Sequence, residues 1–235
     1  TSVTAAKMHI PVAHVEAGLR SRDMTMPEEI NRLMTDAIAD LLFTPSADAD
    51  ENLRGEGVAE SRIKLVGNIM IDSLVRSAAK ARDLKAYQDL GLEAGEYGVV
   101  TFHRPANVDN PENLARILDV LTAVDLPLVF PVHPRTRGVM VENDLGSRCG
   151  LVDSRLILAD PLGYYEFMNL VIHSRMMLTD SGGLQEETTY LDIPCLTLRP
   201  NTERPITITQ GTNELATIES LPGQIARIIE GSWKK

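Results

Sequence analysis

Short apolar runs rich in branched side chains recur along the chain at 12–15, 41–44, 63–66, 98–102, 126–132, 156–159, 176–179 and 195–198, each bounded by turn-forming residues. Between most of them the apolar positions repeat with a helical period, at 28–40, 70–81, 112–124, 164–173, 184–191 and 221–230. Runs that are apolar at successive positions are buried on both faces. A parallel sheet covered by helices on each side demands this, so the pattern predicts a doubly wound α/β fold. The opening Thr1-Ser2-Val3-Thr4-Ala5-Ala6-Lys7 reads as the body of a helix. In an alternating α/β chain such a helix follows a strand, so further β/α units are expected upstream.

A charged, glycine-containing stretch at 79–97 separates three strand-like runs from five. It predicts two domains, 1–78 and 79–235, the second with enough runs for a complete sheet and the first incomplete. The last helix is a candidate to pack back on the first domain.

Composition narrows the function classes. The 235 residues carry 23 basic and 33 acidic side chains, a net charge of -10, which argues against a general nucleic-acid or anionic-membrane surface. An anionic ligand must then be held by a local site. No apolar run approaches ~18 residues and no charged leader precedes a short apolar core, so neither a membrane anchor nor a signal peptide is expected. Cys149 and Cys195, the two cysteines, lie in no CxxC or Cys/His spacing, so neither a disulfide framework nor a structural zinc is indicated. A reducing cytoplasm is the expected compartment.

Polar and glycine clusters follow the strand-like runs: His14 with Glu16 to Arg20, His103-Arg104-Pro105, His133-Pro134-Arg135, Asp180-Ser181-Gly182-Gly183, and Arg199 through Arg204-Pro205. In open α/β sheets the carboxyl ends of the strands line the ligand crevice. Four of the five clusters belong to the second half, which makes it the better candidate for tight binding. In Asp180-Ser181-Gly182-Gly183-Leu184-Gln185-Glu186-Glu187 a strand end, two glycines and a helix start together offer unpaired N–H groups to an anion, without a Walker lysine. Glu187 lies one turn on, where it could accept sugar hydroxyls; a capped helix with a glycine turn explains the octet equally well. Arg204 could clamp a phosphate, although a surface pair with Glu203 is the simpler account. His103-Arg104 and His133-Arg135 put two imidazoles and two guanidiniums on one rim. Pro27, Glu28 and Glu29 suit the first turn of a helix, which is a sufficient structural account of both carboxylates. Glu16, at the mouth of a buried strand, needs a partner or a task, and Arg20 is the nearby candidate partner.

Six stretches in order carry a resemblance: His14-Val15-Glu16-Ala17-Gly18-Leu19-Arg20, Pro27-Glu28-Glu29-Ile30-Asn31-Arg32, Val66-Gly67-Asn68 with Asp72, Thr101-Phe102-His103-Arg104, Ser181 to Glu187, and Thr202-Glu203-Arg204-Pro205. Together they make the chain similar to the non-hydrolysing UDP-N-acetylglucosamine 2-epimerases over nearly its whole length. The resemblance implies a GT-B architecture of two Rossmann-like domains, the nucleotide held mainly by the C-terminal one, and roughly a hundred further residues upstream that carry a catalytic Asp. A chain without them could bind UDP and catalyse nothing.

The implied reaction inverts C2 of UDP-GlcNAc to give UDP-ManNAc, by elimination of UDP to 2-acetamidoglucal and re-addition. By position, the resemblance makes Glu16 and Glu28 the acid/base carboxylates and His103 the supporter of leaving-group departure. It gives Ser181, Gly182 and Gly183 the diphosphate, Glu187 the ribose, Arg204 and Arg104 the nucleotide, and His133 and Arg135 the rim. It implies no metal or redox cofactor and suggests a homodimer. A hydrolysing epimerase that releases ManNAc and UDP is the alternative enzyme. Pro105-Ala106-Asn107 stands where many members have Arg-Glu-Asn, which leaves a 2,3-diacetamido sugar open as substrate.

Overall fold

In a computed structural model, which describes residues 1–146 and 155–234, the chain divides into two compact units. The first comprises Thr1–Ser73 and Asn201–Ile206, the second Leu74–Pro200 and Thr207–Lys235. Cys149 lies outside the described residues; Cys195 is a buried free thiol. No helix among the described residues is long and apolar enough to cross a membrane.

The first unit holds a three-stranded parallel sheet, β1 (Ala13–Val15), β2 (Leu41–Thr44) and β3 (Ile63–Leu65), in the order β1-β2-β3. Its small core joins Ala17, Ala39, Leu42, Leu53 and Ile63. The helix Pro27–Ile38 starts with Pro27 in its first turn, where a missing N–H costs nothing. The helix Ala47–Gly55 buries only Ala49, Asp50 and Leu53, and its polar sequence hid it from the hydrophobic pattern.

The second unit is a six-stranded parallel sheet of β4 (Gly98–Thr101), β5 (Leu128–Pro131), β6 (Leu156–Ala159), β7 (Met176–Thr179), β8 (Cys195–Leu198) and β9 (Asn213–Ala216). The order β6-β5-β4-β7-β8-β9 reverses direction between β4 and β7, as in a doubly wound dinucleotide fold. Strands β5, β7 and β8 are buried at every position, which is why their runs are continuously apolar. The five runs expected are joined by a sixth strand. In β9 only Leu215 and Ala216 are apolar, and Asn213 is buried through hydrogen bonds rather than hydrophobicity.

The division between the units falls between Ser73 and Leu74, inside the helix Ile69–Arg82, whose Leu74, Ala78 and Ala81 are buried. The last helix, Leu221–Ile229, belongs to the second unit. Its Leu221, Ile225 and Ile228 are sealed in the large core of the second, beside Leu198 and Ala216. Trp233 fastens the tail there: its indole N–H donates to the Thr212 carbonyl at 2.9 Å, and the Arg227 guanidinium lies 4.8 Å from its ring centre.

Candidate active site

In the second unit the polar clusters converge where the strand order reverses. Asp180, fully buried just beyond β7, reaches across to the turn that leaves β4. Its Oδ2 accepts the backbone N–H groups of His103 and Arg104 at 3.1 and 2.9 Å and the Asn107 amide at 3.0 Å. Its Oδ1 lies 3.0 Å from His103 Nδ1. Arg104 Nε donates to the Asp180 carbonyl at 2.9 Å. Burial works against the charge on Asp180, but the His103 side chain, the Arg104 N–H and Asn107 outweigh it and hold the carboxyl below its ordinary range.

His103 therefore stands at the rim of a recess of about 260 Å³ whose lining includes Thr101, His133, Phe167 and Ser181. The rings of His103 and His133 are 6.2 Å apart, so the two imidazoles meet as the sequence predicts. The two guanidiniums do not both face that space freely. Arg135 grips Asp109 with two bonds, Nε to Oδ1 at 2.7 Å and Nη2 to Oδ2 at 2.5 Å. His133 Nδ1 accepts the Arg135 N–H at 3.2 Å, capping the helix Pro134–Glu142.

Ser181 precedes the helix Gly182–Tyr190, and its hydroxyl does not cap it. The first-turn N–H groups are thus left to other acceptors, and the dipole favours an anion there. One turn on, Glu187 is buried with the Tyr164 hydroxyl donating to Oε1 at 3.3 Å. Burial raises its carboxyl above the usual range despite that bond, with Glu186 adding to the effect, and the same burial pushes the Tyr164 phenol up to about 12.

In the first unit Glu16 follows β1 directly and has a φ of 64°, the left-handed region that disfavours every side chain with a Cβ. Among the described residues its carboxylate makes no hydrogen bond or ion pair. Arg20 is not its partner. The Arg20 guanidinium is buried against Asp36 Oδ2 at 2.7 Å and makes a two-pronged contact with Glu56 at 2.7 Å. Asp36 also takes the Gly18 N–H at 3.0 Å and holds His14 Nδ1 at 2.5 Å. Burial penalises its charge, but these donors keep the carboxyl low. Asp36 thus fixes the turn that carries Glu16, a role that sequence reasoning missed because the residue sits in the last turn of a helix, 22 positions from His14.

Glu28 and Glu29 are adjacent but separate in role. Glu28 is exposed in the first turn of its helix, whereas Glu29 is buried, accepting the Ser21 N–H, the Ser21 hydroxyl and the Arg22 N–H at 2.9, 3.0 and 2.9 Å. Glu29 anchors the intervening loop and leaves Glu28 open. Arg204 is not a surface residue. It is 7% exposed, with Nη1 donating to Glu203 at 2.6 Å, and its segment, 201–206, groups with the first unit rather than with the strand-end cluster of the second. Among the described residues no group of three or more His, Cys, Asp or Glu side chains is arranged to hold a metal ion.

Parallel sheets wrapped by helices, with polar and glycine turns at the strand ends, define a GT-B-type α/β protein. A sequence profile of the UDP-N-acetylglucosamine 2-epimerases matches residues 1–233, and the chain belongs to that family. It is 41% identical over 221 residues to the UDP-N-acetylglucosamine 2-epimerase of Methanocaldococcus jannaschii, covering 91% of this chain and 60% of that one. It is 40% identical over 220 residues to the UDP-2,3-diacetamido-2,3-dideoxy-D-glucuronate 2-epimerase of Pseudomonas aeruginosa, with coverages of 91% and 59%. The crystal structure of the M. jannaschii enzyme in complex with UDP-GlcNAc and UDP superimposes with a TM-score of 0.88 at 38% identity, covering 100% of this chain and 66% of that one. The chain therefore spans about 60% of the length of the curated relatives it matches.

Proposed function

We propose that this chain is the nucleotide-holding and proton-transferring part of an enzyme that epimerises UDP-N-acetylglucosamine at C2. The observation that carries the reading is the recess at the ends of β4 and β7, where His103, His133 and Ser181 meet beside an uncapped helix start. A diphosphate needs N–H donors and cationic groups there, and a departing UDP needs the same groups more strongly. Ser181, Gly182 and Gly183 receive the diphosphate, Glu187 the ribose hydroxyls, and Arg104 and Arg204 the nucleotide; His103 supports departure of the leaving oxygen.

On the first unit, Glu16 and Glu28 carry the proton transfers. One carboxylate removes the C2 proton as the C1–O bond to UDP breaks, which leaves a C1–C2 double bond. UDP oxygen then re-forms the C1 bond while C2 takes a proton on its other face. Glu16 suits such work because its carboxylate is unoccupied and its backbone is held in a costly conformation. The P. aeruginosa relative, nearly as similar as the M. jannaschii one, favours a second reading of the sugar as a 2,3-diacetamido uronate at the same nucleotide site.

Incubation of the whole enzyme, of which this chain is a part, with UDP-GlcNAc in D2O, followed by NMR, tests the chemistry. UDP-ManNAc with deuterium at C2 is expected, whereas product without deuterium overturns the elimination and free ManNAc indicates a hydrolysing enzyme. Calorimetry with UDP tests the site, since folded protein that binds no UDP overturns the assignments of Ser181 and Glu187.

A further inference from the structure

We infer that Asp180 is a positioning residue that keeps the His103 proton on Nδ1, so that Nε2 is the nitrogen His103 presents to a ligand oxygen. The inference rests on the reading of His103 as the group that supports UDP departure, but its test needs no UDP.

The argument begins with what the fold requires. The turn after β4 buries two backbone N–H groups, those of His103 and Arg104, and a carboxylate that accepts both is a sufficient structural device. Asn107 adds a third donor from the short helix Pro105–Val108, and the same amide also donates to the Leu198 carbonyl at 3.1 Å. These three bonds satisfy Oδ2. None of them needs an imidazole. The fourth partner, the His103 ring on Oδ1, belongs to a side chain that is 46% exposed and would find water without Asp180. A pairing that the turn does not need, made by a residue at the mouth of the recess, points to orientation of the ring.

Chemistry then fixes the proton. Asp180 is fully buried, and its donors favour the ionised form, which can only accept hydrogen bonds. The imidazole nitrogen facing it must therefore carry hydrogen, in the neutral ring as well as in the cation. The backbone bond from His103 N to the same carboxylate prevents the side chain from choosing another partner by moving the turn. The ring is held at its base and at Nδ1, and Nε2 is left as the one nitrogen available to a ligand: it accepts from a hydroxyl when the ring is neutral and donates to a departing oxygen only when the ring is the cation. His133 has a different constraint: its Nδ1 accepts the Arg135 N–H and so carries no proton. The two neighbouring histidines are set to opposite tautomers when neutral.

Long-range proton–nitrogen NMR of the ring-labelled protein above neutral pH reads this directly, with the His103 signals identified by their loss in His103→Gln. The expected spectrum has His103 protonated at Nδ1 and His133 at Nε2. A His103 ring protonated at Nε2, or averaging between the two forms, in the unaltered protein overturns the inference. In Asp180→Asn the Nδ1–H signature should be lost, and its retention also overturns it. Because Asp180→Asn removes an acceptor from a buried turn and can fail to fold, Asn107→Ala is the companion. It deletes another bond to the same Oδ2 and should leave the His103 tautomer unchanged; a switch there would show that the turn, and not Asp180, sets the ring. Absence of UDP binding in an otherwise confirmed spectrum would count against the proposed function and leave the tautomer assignment standing.

Discussion

The backbone of Glu16 offers a sharp test of the link between strain and function. At φ 64° an L-residue costs about 1–2 kcal/mol relative to the right-handed regions, and the Glu16 carboxylate makes no bond that offsets this. Glu16→Ala keeps the Cβ and therefore the strain. Glu16→Gly removes it, at about 0.5–1 kcal/mol of added freedom in the unfolded chain. The glycine variant should thus exceed the alanine variant by roughly 0.5–1 kcal/mol, with Glu16→Asn between them because asparagine tolerates the left-handed region. Urea unfolding followed by far-UV circular dichroism resolves this as a midpoint difference of roughly 0.2–1 M. Carried in the whole enzyme, all three variants should lose the proposed epimerisation, since each lacks the carboxylate. Gain in stability with loss of activity at one position is the signature of a conformation kept for chemistry. If Glu16→Ala is as stable as Glu16→Gly, the backbone at this position is unstrained and the reasoning fails.

Other positions extend the test. Gly18 has φ 80° and a Cβ there would lie 2.4 Å from the Ala49 carbonyl oxygen, whereas Gly67, at φ 84°, faces open space. Gly18→Ala should cost roughly 3–5 kcal/mol and Gly67→Ala about 1–2, compared by the same urea titration. Asp36→Ala leaves Arg20 without one of its buried partners and should cost roughly 3–5 kcal/mol. Because the Asp36 carboxyl is lowered on folding, its contribution is full above the ordinary carboxylate range and is lost as the pH falls through the folded value, so the gap between Asp36→Ala and the parent should narrow in acid. Glu187 has the opposite sign. Burial raises its carboxyl, so it lowers stability as the pH rises above the unfolded value, and Glu187→Gln should gain on the parent in thermal melts as the pH rises above the ordinary carboxylate range, while weakening UDP binding. Tyr97→Phe removes a buried hydroxyl that donates to the Leu170 carbonyl at 2.6 Å and should cost about 1–2 kcal/mol in urea unfolding.

Strands whose apolar runs stop abruptly at turn-forming or charged residues were legible to the residue. The runs 41–44, 156–159, 176–179 and 195–198 coincide with β2, β6, β7 and β8, although only β7 and β8 are buried at every position and β2 and β6 are partly exposed. Elements stabilised by hydrogen bonds were not. β9 relies on Asn213, whose amide meets Gln185 and whose carbonyl oxygen meets Thr197, and the helix Ala47–Gly55 is polar on all but one narrow face. The same divide runs through the candidate site. The glycine turn at Ser181 and the paired histidines have local signatures, so spacing alone drew them out. Asp36 and Asp180 act on residues 22 and 77 positions away, and nothing in their immediate sequence distinguishes them from a helix-face or strand-end aspartate. Arg20 was matched to Glu16 by proximity in sequence, but its buried guanidinium pairs with the buried Asp36 and reaches out to the exposed Glu56.

The excursion of residues 201–206 has a practical consequence for dissecting the protein. The backbone passes from one unit to the other three times, after Ser73, Pro200 and Ile206, so no single cut separates them. A clipped chain ending at Ser73 would lack the buried Glu203 that lies 3.7 Å from Arg32, and a chain starting at Leu74 would carry a stranded loop. An autonomous version of the second unit has to be spliced: Leu74 to Pro200, a short flexible bridge, then Thr207 onward. Shuffling halves between relatives meets the same topology, and a hybrid that exchanges only the amino-terminal portion inherits six residues of mismatched packing from its other parent.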